Sequence, residues 1–143
     1  MSDAISILFI DGNNRDRDYY TQRLRASSAY YDVVQATTGR AGLDYCARLP
    51  IDCVVVEIDL PDMSGFEVLA KLVRSACHPE IAVIVLTRLS NPYLLELALK
   101  NGAKAALQKT MLSPDVLEQA IISAIASVKQ DRELRKEQMR LSA

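Results

Sequence analysis

The stretch DCVVVEIDLPDMSG, residues 52–65, decides the fold of this chain. It begins with an apolar run that ends at the acid Glu57, continues through a Leu-Pro turn, and reaches Gly65 just before a segment with helical spacing. A short Val-rich run between turn residues is typical of a strand buried on both faces of a parallel sheet. The stretch therefore predicts a strand that brings an acid to the sheet edge, followed by a helix.

The same alternation of strand and helix extends from this stretch towards both ends of the chain. Apolar runs predict four more strands, at residues 5–10, 31–36, 81–86 and, more weakly, 103–107. Helical spacing fills the segments between them, with Asn14 expected to cap the first helix and Asn91 the fourth. Short connections between alternating elements predict an α/β fold, a doubly wound five-stranded parallel sheet flanked by five helices.

Composition limits the classes of function. The 143 residues fit one domain, and 17 basic against 18 acidic side chains give a net charge of -1, so no direct contact with nucleic acid is expected. Cys46, Cys53 and Cys77 form no C-x-x-C pair, which favours a reducing compartment. The chain has no basic leader and no apolar run of the ~20 residues that span a bilayer, so we expect a cytoplasmic protein with no membrane segment.

The C-terminal segment differs from the rest. The apolar face of the last helix fades after Val128 into a charged stretch with helix-forming composition. We predict a domain over residues 1–128 and a charged helical tail over residues 129–143. Two interpretations of the tail remain open: a solvated, partly frayed helix end, or a signalling helix that leads to a partner or to an output domain.

Four polar residues end four different strands. Asp11 follows the first predicted strand, Glu57 ends the third, Thr87 the fourth and Lys109 the fifth. In a doubly wound sheet the carboxyl ends of the strands form the ligand-binding edge. Two carboxylates there favour a neutralising cation such as Mg²⁺, and a lysine and a hydroxyl would stabilise a phosphoryl group.

Four segments together resemble the receiver domains of response regulators. They are ILFIDGNN at residues 7–14, the stretch already quoted, VIVLT at 83–87 and GAKAALQK at 102–109, and the resemblance covers residues 5 to about 128. It implies a flavodoxin-like three-layer sandwich with strand order 2-1-3-4-5. The charged tail adds an extended C-terminal helix to this fold. The resemblance also implies that Glu57 occupies the phosphoacceptor position, that Thr87 and Lys109 complete the catalytic set, and that Asp11, Glu57 and the backbone carbonyl of Asp59 are the Mg²⁺ ligands.

Two departures from the receiver pattern change the charge of this set. Gly12 stands where receivers carry a second acid, and Glu57 stands where they carry the acceptor aspartate. Because divalent metal affinity depends on ligand charge and geometry, we expect Mg²⁺ to bind weakly or not at all. The Asp59 carboxylate could compensate for Gly12, although a solvated turn residue is the expected role.

Three interpretations of Glu57 remain open. Its carboxylate could imitate a phosphorylated aspartate by reaching Lys109 and Thr87, it could be a structural relic paired with Lys109, or it could retain some phosphorylation. Its extra methylene opposes the third, since in-line phosphoryl transfer tolerates little misplacement.

Three further departures concern switching. Ala106 replaces the usual aromatic residue, Arg88 is expected to cover the pocket or to pair with Glu57 or Asp59, and Thr110 replaces a proline, so the Lys109-Thr110 peptide should be trans. Asp16 and Asp18 are expected to serve the dipole of the first helix and not to act as ligands. His78, the only histidine, is expected to be a solvated loop residue.

The sequence thus predicts a receiver or pseudo-receiver of a two-component phosphorelay, signalling through protein contacts with weakened or absent phosphorylation and no independent enzyme activity. Expected partners are a sensor histidine kinase or an output protein, and a homodimer could form through the fourth-helix, fifth-strand and fifth-helix face or through the C-terminal helix. Alternatives are a metal-dependent phosphoacceptor using Glu57 or Asp59, and the receiver segment of a hybrid sensor kinase or larger output protein. A small α/β enzyme with a phosphorylated ligand is disfavoured, because the chain has no Gly-rich phosphate loop.

Overall fold

The computed structural model describes residues 4–27, 30–74 and 81–142. Its strands are β1 (Ile5–Ile10), β2 (Tyr31–Ala36), β3 (Cys53–Glu57), β4 (Ala82–Thr87) and β5 (Ala105–Gln108). Its helices are α1 (Asn14–Arg25), α2 (Gly39–Arg48), α3 (Gly65–Arg74), α4 (Pro92–Lys100) and α5 (Pro114–Ser142), with one 3₁₀ turn at Lys109–Met111. The strands form a parallel sheet in the order β2-β1-β3-β4-β5, so the predicted fold and strand order are confirmed.

The register of the sheet brings the strand ends to one edge. Ile10 is paired with Ala36 on one side and with Val56 on the other. Glu57 is paired with Leu86, and Thr87 with Gln108. Residue 11 and residue 109, which directly follow β1 and β5, therefore lie at the same edge as Glu57 and Thr87.

The core lies on both faces of the sheet, because alternate side chains of a buried strand point to opposite faces. In β1, Leu8 and Ile10 belong to one apolar cluster, and Ile7 and Phe9 to the other. The first cluster packs against α3 and the second against α1 and α5. All five residues of β3 are buried, which explains their unbroken apolar run up to Glu57.

Helix boundaries agree with the capping signals, with one shift. Asn91 caps α4 by accepting a hydrogen bond from Tyr93 N, as predicted. The cap of α1 is Asn13, whose Oδ1 accepts from Asp16 N, and not Asn14 as predicted. As a result, Asp16 lies in the first turn of α1 and Asp18 lies beyond it.

The fifth strand begins two residues later than the apolar run predicts. Gly102 adopts φ 106° at the end of α4, and Ala103 N donates to the carbonyl of Ala98. These residues complete the C-terminal turn of the helix, where glycine is favoured because the left-handed region costs it nothing. They are therefore not available to the sheet, and β5 starts at Ala105.

Helix α5 continues well past the last residue that it buries, Val128. The ammonium of Lys104, just before β5, lies 2.5 Å from Asp131 Oδ2 in this extension. In the part of the chain that the structure describes, no helix combines the length and the apolar character needed to cross a membrane. His78 and Cys77 lie outside the described residues.

Candidate functional site

The four residues predicted at the strand ends come together around one cavity. Asp11, Glu57, Thr87 and Lys109 all line it, together with the loops that follow β1, β3 and β4, and its volume is about 280 Å³. All four residues are buried, with 1%, 4%, 1% and 9% of their surface exposed. The sequence prediction of a polar cluster at this edge is therefore correct in its geometry.

Lys109 is the centre of the cluster. Its Nζ lies 2.6 Å from Asp11 Oδ2, 2.8 Å from Glu57 Oε1 and 3.1 Å from Asp16 Oδ2. Burial alone would lower the pKa of Lys109, but its hydrogen bonds to Asp11 and Glu57 outweigh that effect and leave its pKa above the ordinary value. The ammonium is thus kept charged among three carboxylates.

Glu57 is held at both carboxylate oxygens. Oε1 faces Lys109, while Oε2 accepts a hydrogen bond of 2.7 Å from Ile58 N and a longer one of 3.4 Å from Asp59 N. The β3–α3 loop closes against the same residue: Gly65 N donates to Ile58 O, and a β-carbon on Gly65 would lie 2.3 Å from the carbonyl oxygen of Glu57. Glycine is needed there because backbone atoms leave no space for a side chain.

Thr87 is in the cluster but is not joined to Glu57. Its Oγ1 accepts from Leu89 N at 3.0 Å, and no hydrogen bond between Thr87 and Glu57 is found among the described residues. Of the two contacts that the phosphoaspartate interpretation requires, Glu57 therefore makes the one with Lys109 and not the one with Thr87. The reason is local, since Glu57 Oε2 turns back to the amides of its own strand end.

Asp16 and Arg88 take places that the sequence prediction did not give them. Arg88 forms an ion pair with Asp16, so the predicted pairing with Glu57 or Asp59 is wrong. Asp16 in turn reaches Lys109, so it belongs to the cluster as well as to the first turn of α1. Its partial burial raises the pKa of Asp16, but Lys109 and then Arg88 outweigh that effect and bring the pKa below its ordinary value.

Arg17 is a buried residue that the sequence analysis missed. Its guanidinium donates to the carbonyl of Asp11 at 2.5 Å, to Gln35 Oε1 at 2.7 Å and to Asn14 Oδ1 at 2.7 Å. The signal was present in the sequence: Arg17, Tyr20 and Leu24 share one helical stripe, and all are buried. A charged residue inside an apolar stripe indicates a satisfied buried group, and here it fixes the loop that carries Asp11.

A scan against protein-family models matches the response regulator receiver domain over residues 7–122. This chain belongs to that family. It is therefore a receiver domain of two-component signalling, as the sequence predicts, and receiver domains of response regulators are generally not enzymes.

Known proteins agree with this assignment. The chain is 34% identical over 98 residues to a probable cyclic di-GMP phosphodiesterase of Vibrio cholerae. The matched segment covers 68% of this chain but 22% of that protein. It is 26% identical over 128 residues to the two-component response regulator ARR17 of Arabidopsis thaliana, covering 81% of this chain and 82% of the relative. A CheY-like receiver domain from Methanospirillum hungatei superposes with a TM-score of 0.79 and 25% identity, covering 90% and 98% of the two chains.

The receiver family implies a Mg²⁺ site, and the residues present fit it poorly. Asp11 and Glu57 both contact the Lys109 ammonium, and their second oxygens accept from the amides of Asn13 and Ile58. Gly12 contributes no ligand, and a β-carbon there would meet Pro61 at 3.0 Å. No group of three or more acidic, histidine or cysteine side chains is arranged to hold a metal within the described ranges.

The remaining departures from the receiver pattern are placed as follows. Ala106 lies in β5, half-buried against the apolar cluster beside α3. The Lys109-Thr110 peptide is trans, as predicted, and belongs to the 3₁₀ turn. Asp59 is exposed and forms an isolated bridge with Ser64, although it lines the rim of the cavity.

Proposed function

We propose that this receiver domain works as a pseudo-receiver, whose output depends on protein contacts and not on an acyl phosphate. The observation that carries the proposal is the buried pair of Glu57 Oε1 and Lys109 Nζ at 2.8 Å, with Glu57 Oε2 bound to Ile58 N. The acceptor position is thus occupied by a carboxylate that has a hydrogen-bond partner at each of its two oxygens.

This engagement opposes phosphoryl transfer to Glu57. A carboxylate oxygen attacks phosphorus only with a free lone pair directed in line at the donor. Both oxygens of Glu57 already accept a charge-assisted hydrogen bond, and turning either one towards a phosphodonor would break that bond in a buried site. A misplacement of about 1 Å can cost 10²-fold in rate, and the extra methylene of glutamate adds to the misplacement.

The engagement also supports a partial imitation of the phosphorylated state. Glu57 brings a negative charge to Lys109, as a phosphorylated acceptor would, but it leaves Thr87 bonded to Leu89 N. The carboxylate carries one charge where an aspartyl phosphate carries more. We therefore propose a domain in which Lys109 has the contact of the phosphorylated state and Thr87 does not. Ala106 is too small to change position as the usual aromatic side chain would.

Further features of the proposal rest on the receiver family and on the composition. We propose weak Mg²⁺ binding at Asp11, Glu57 and the Asp59 carbonyl, partnership with a sensor histidine kinase or a downstream output protein, and a cytoplasmic location. Dimers would form through the α4–β5–α5 face or through α5. A place as the receiver segment of a hybrid kinase or larger output protein is a further proposal, because the chain spans 22% of the phosphodiesterase that it matches.

Incubation with acetyl phosphate and Mg²⁺, followed by intact mass spectrometry, tests the proposal. The parent chain should gain no phosphoryl group, whereas Glu57→Asp, which shortens the side chain to that of the acceptor residue in receivers, should gain one. A phosphoryl adduct on the parent chain would contradict the proposal. Its loss in Glu57→Gln but not in Asp59→Asn would then identify Glu57 as the acceptor.

A second candidate function is a metal-dependent phosphoacceptor that uses Asp59. The exposure of Asp59 at the rim of the cavity favours it, because its carboxylate is accessible to a donor. Here Asp59→Asn would abolish the adduct and Glu57→Gln would keep it.

A further inference from the structure

An ion pair lies beside the acidic site. Arg88, at the end of β4, contacts Asp16 in the first turn of α1, and Asp16 also contacts Lys109. The 280 Å³ cavity over Glu57 and a neighbouring one of about 180 Å³ beside Tyr20 are both lined by Arg88 and Lys109. The Arg88–Asp16 pair thus lies between two hollows at the strand ends.

The carboxylates that meet at Lys109 are all paired with side-chain cations. Three carboxylates, those of Asp11, Asp16 and Glu57, all contact the Lys109 ammonium. Arg88 adds a second positive charge at Asp16. The buried guanidinium of Arg17 adds a third where it binds the backbone carbonyl of Asp11. Two cationic side chains, Lys109 and Arg88, therefore contact the three carboxylates, and Arg17 adds a positive charge behind Asp11.

The pairing of the carboxylates with side-chain cations affects the binding of divalent cations. An acidic pocket binds Mg²⁺ because the ion removes the repulsion between its carboxylates, and its affinity follows the net ligand charge. In this chain side-chain cations already remove that repulsion, and an incoming Mg²⁺ would meet the positive charge of Arg88 beside the site. Poor geometry at Gly12 and Glu57 is one obstacle to the metal, and the charge of Arg88 is a second and separate one.

We propose that Arg88 takes the place of the divalent cation, so that the Arg88–Asp16 pair together with Lys109 sets the charge of this site without metal. The proposal rests on the pseudo-receiver function and adds to it the residue that makes the site independent of Mg²⁺. Arg88 is a positioning and charge-setting residue here, since it touches no reacting atom.

Isothermal titration calorimetry with MgCl₂ alone, without a phosphodonor, tests the proposal. Arg88→Ala should bind Mg²⁺ about tenfold more tightly than the parent chain, because one positive charge near the carboxylates is removed. Asp16→Asn breaks the same ion pair but removes a carboxylate, so its affinity should equal or fall below that of the parent. Arg88→Lys keeps the charge and should bind Mg²⁺ like the parent.

Arg40→Ala is the matched control. It changes the net charge by the same amount, but the Arg40 side chain is 80% exposed on α2 and its ion pair in the described structure is with nearby Asp44, so Mg²⁺ affinity should not change. Arg88 is itself 56% exposed at its side chain, so its removal threatens no core packing. Thermal melts of each variant verify that it is folded.

Two results would overturn the proposal. If Arg88→Ala binds Mg²⁺ no more tightly than the parent, Arg88 does not replace the cation. If Arg88→Ala and Asp16→Asn both gain affinity, the pair only obstructs access and its charge is irrelevant. Either failure would leave the pseudo-receiver function standing, since that is tested by phosphorylation and not by metal binding. Conversely, if the parent chain is phosphorylated while the variants show the expected Mg²⁺ affinities, the pseudo-receiver function is refuted and the role of Arg88 is not.

Discussion

A β-carbon on Gly65 would lie 2.3 Å from the carbonyl oxygen of Glu57, which places the start of α3 in direct contact with the end of β3. The nearest atoms are all backbone: this oxygen, the carbonyl carbon of Glu57 and the α-carbon of Ile58. Backbone atoms cannot move aside as a flexible side chain can. The position of Glu57 and the first turn of α3 therefore depend on each other.

Gly65→Ala should lower the free energy of unfolding by about 1–3 kcal/mol, the usual cost of forcing extra atoms into packed structure. Urea unfolding measures the change. Gly12→Ala is the control, because its β-carbon would meet the side chain of Pro61 at 3.0 Å and no backbone atom closer than Thr37 O at 3.6 Å, so we expect a smaller cost than for Gly65→Ala. Equal losses in the two variants would mean that the contact with Glu57 is easily relieved.

Lys109→Met should destabilise the domain by about 3–5 kcal/mol, because it leaves buried carboxylates without their cation. Lys104→Met removes the partly exposed pair with Asp131 and should cost much less, because solvent screens an exposed ion pair. Urea unfolding of the two variants compares a buried with an exposed lysine. The explanation fails if Lys109→Met costs no more than Lys104→Met.

Glu57→Gln should cost less than Lys109→Met, since Lys109 keeps Asp11 and Asp16 as partners. The double variant should be more stable than the sum of the two single losses predicts, by about 1 kcal/mol or more, because contacting residues are coupled. A double-mutant cycle by urea unfolding measures this coupling. Simple additivity would show that the 2.8 Å contact carries no interaction energy.

The Lys109 cluster should lose stability in alkali. The pKa of Lys109 is raised above 10.5 in the folded chain, so its contribution is fully present below pH 10.5 and is lost as the pH rises through the folded pKa. The stability gap between the parent and Lys109→Met should therefore narrow above that pH. Comparing the two chains cancels the titration of the tyrosines that lie away from Lys109. A gap that widens with pH would contradict the assigned direction.

Asp16 should stabilise the fold at neutral pH and lose this contribution in acid. Its pKa is lowered from 3.8, so its contribution is present above pH 3.8 and disappears as the pH falls through the folded pKa. Urea unfolding of parent and Asp16→Asn should show a gap at neutral pH that closes in acid. We expect Asp18→Asn, beyond the first turn and exposed, to show no such gap.

The sequence was sufficient for the sheet and for four members of the site. A parallel sheet forces the carboxyl ends of its strands to one edge, so Asp11, Glu57, Thr87 and Lys109 could be brought together from topology alone. The contacts that flexible side chains make could not be predicted from the sequence. Arg88 can reach several acids from the end of β4, and which one it meets depends on how α1 is rotated against the sheet.

Smaller errors have similarly local causes. Asn13 and Asn14 are both competent caps, so composition could not choose between them, and one hydrogen bond to Asp16 N decides. One of the three interpretations of Glu57 joins it to Thr87 as well as to Lys109, and the contact with Thr87 is not formed. In both residues a nearby backbone amide donates to the side-chain oxygen instead: Ile58 N to Glu57 Oε2 and Leu89 N to Thr87 Oγ1.

A chain ending at Val128 should retain the receiver fold. Val128 is the last buried residue of α5, and the truncation would remove the partly exposed ion pair between Lys104 and Asp131. We expect the midpoint of urea unfolding to decrease only slightly, because exposed ion pairs contribute little stability, while circular dichroism still shows the sheet. A larger decrease would move the domain boundary into residues 129–143.

The length of α5 makes it a lever arm. Residues 133–142 are helical and exposed, and at about 1.5 Å per residue they project the helix axis by about 15 Å. A tilt of about 10° where α5 leaves the sheet would displace the far end by roughly 3 Å, while atoms near Val128 would barely move. A rearrangement at the strand ends too small to disturb the core could thus become a displacement comparable with the width of a side chain.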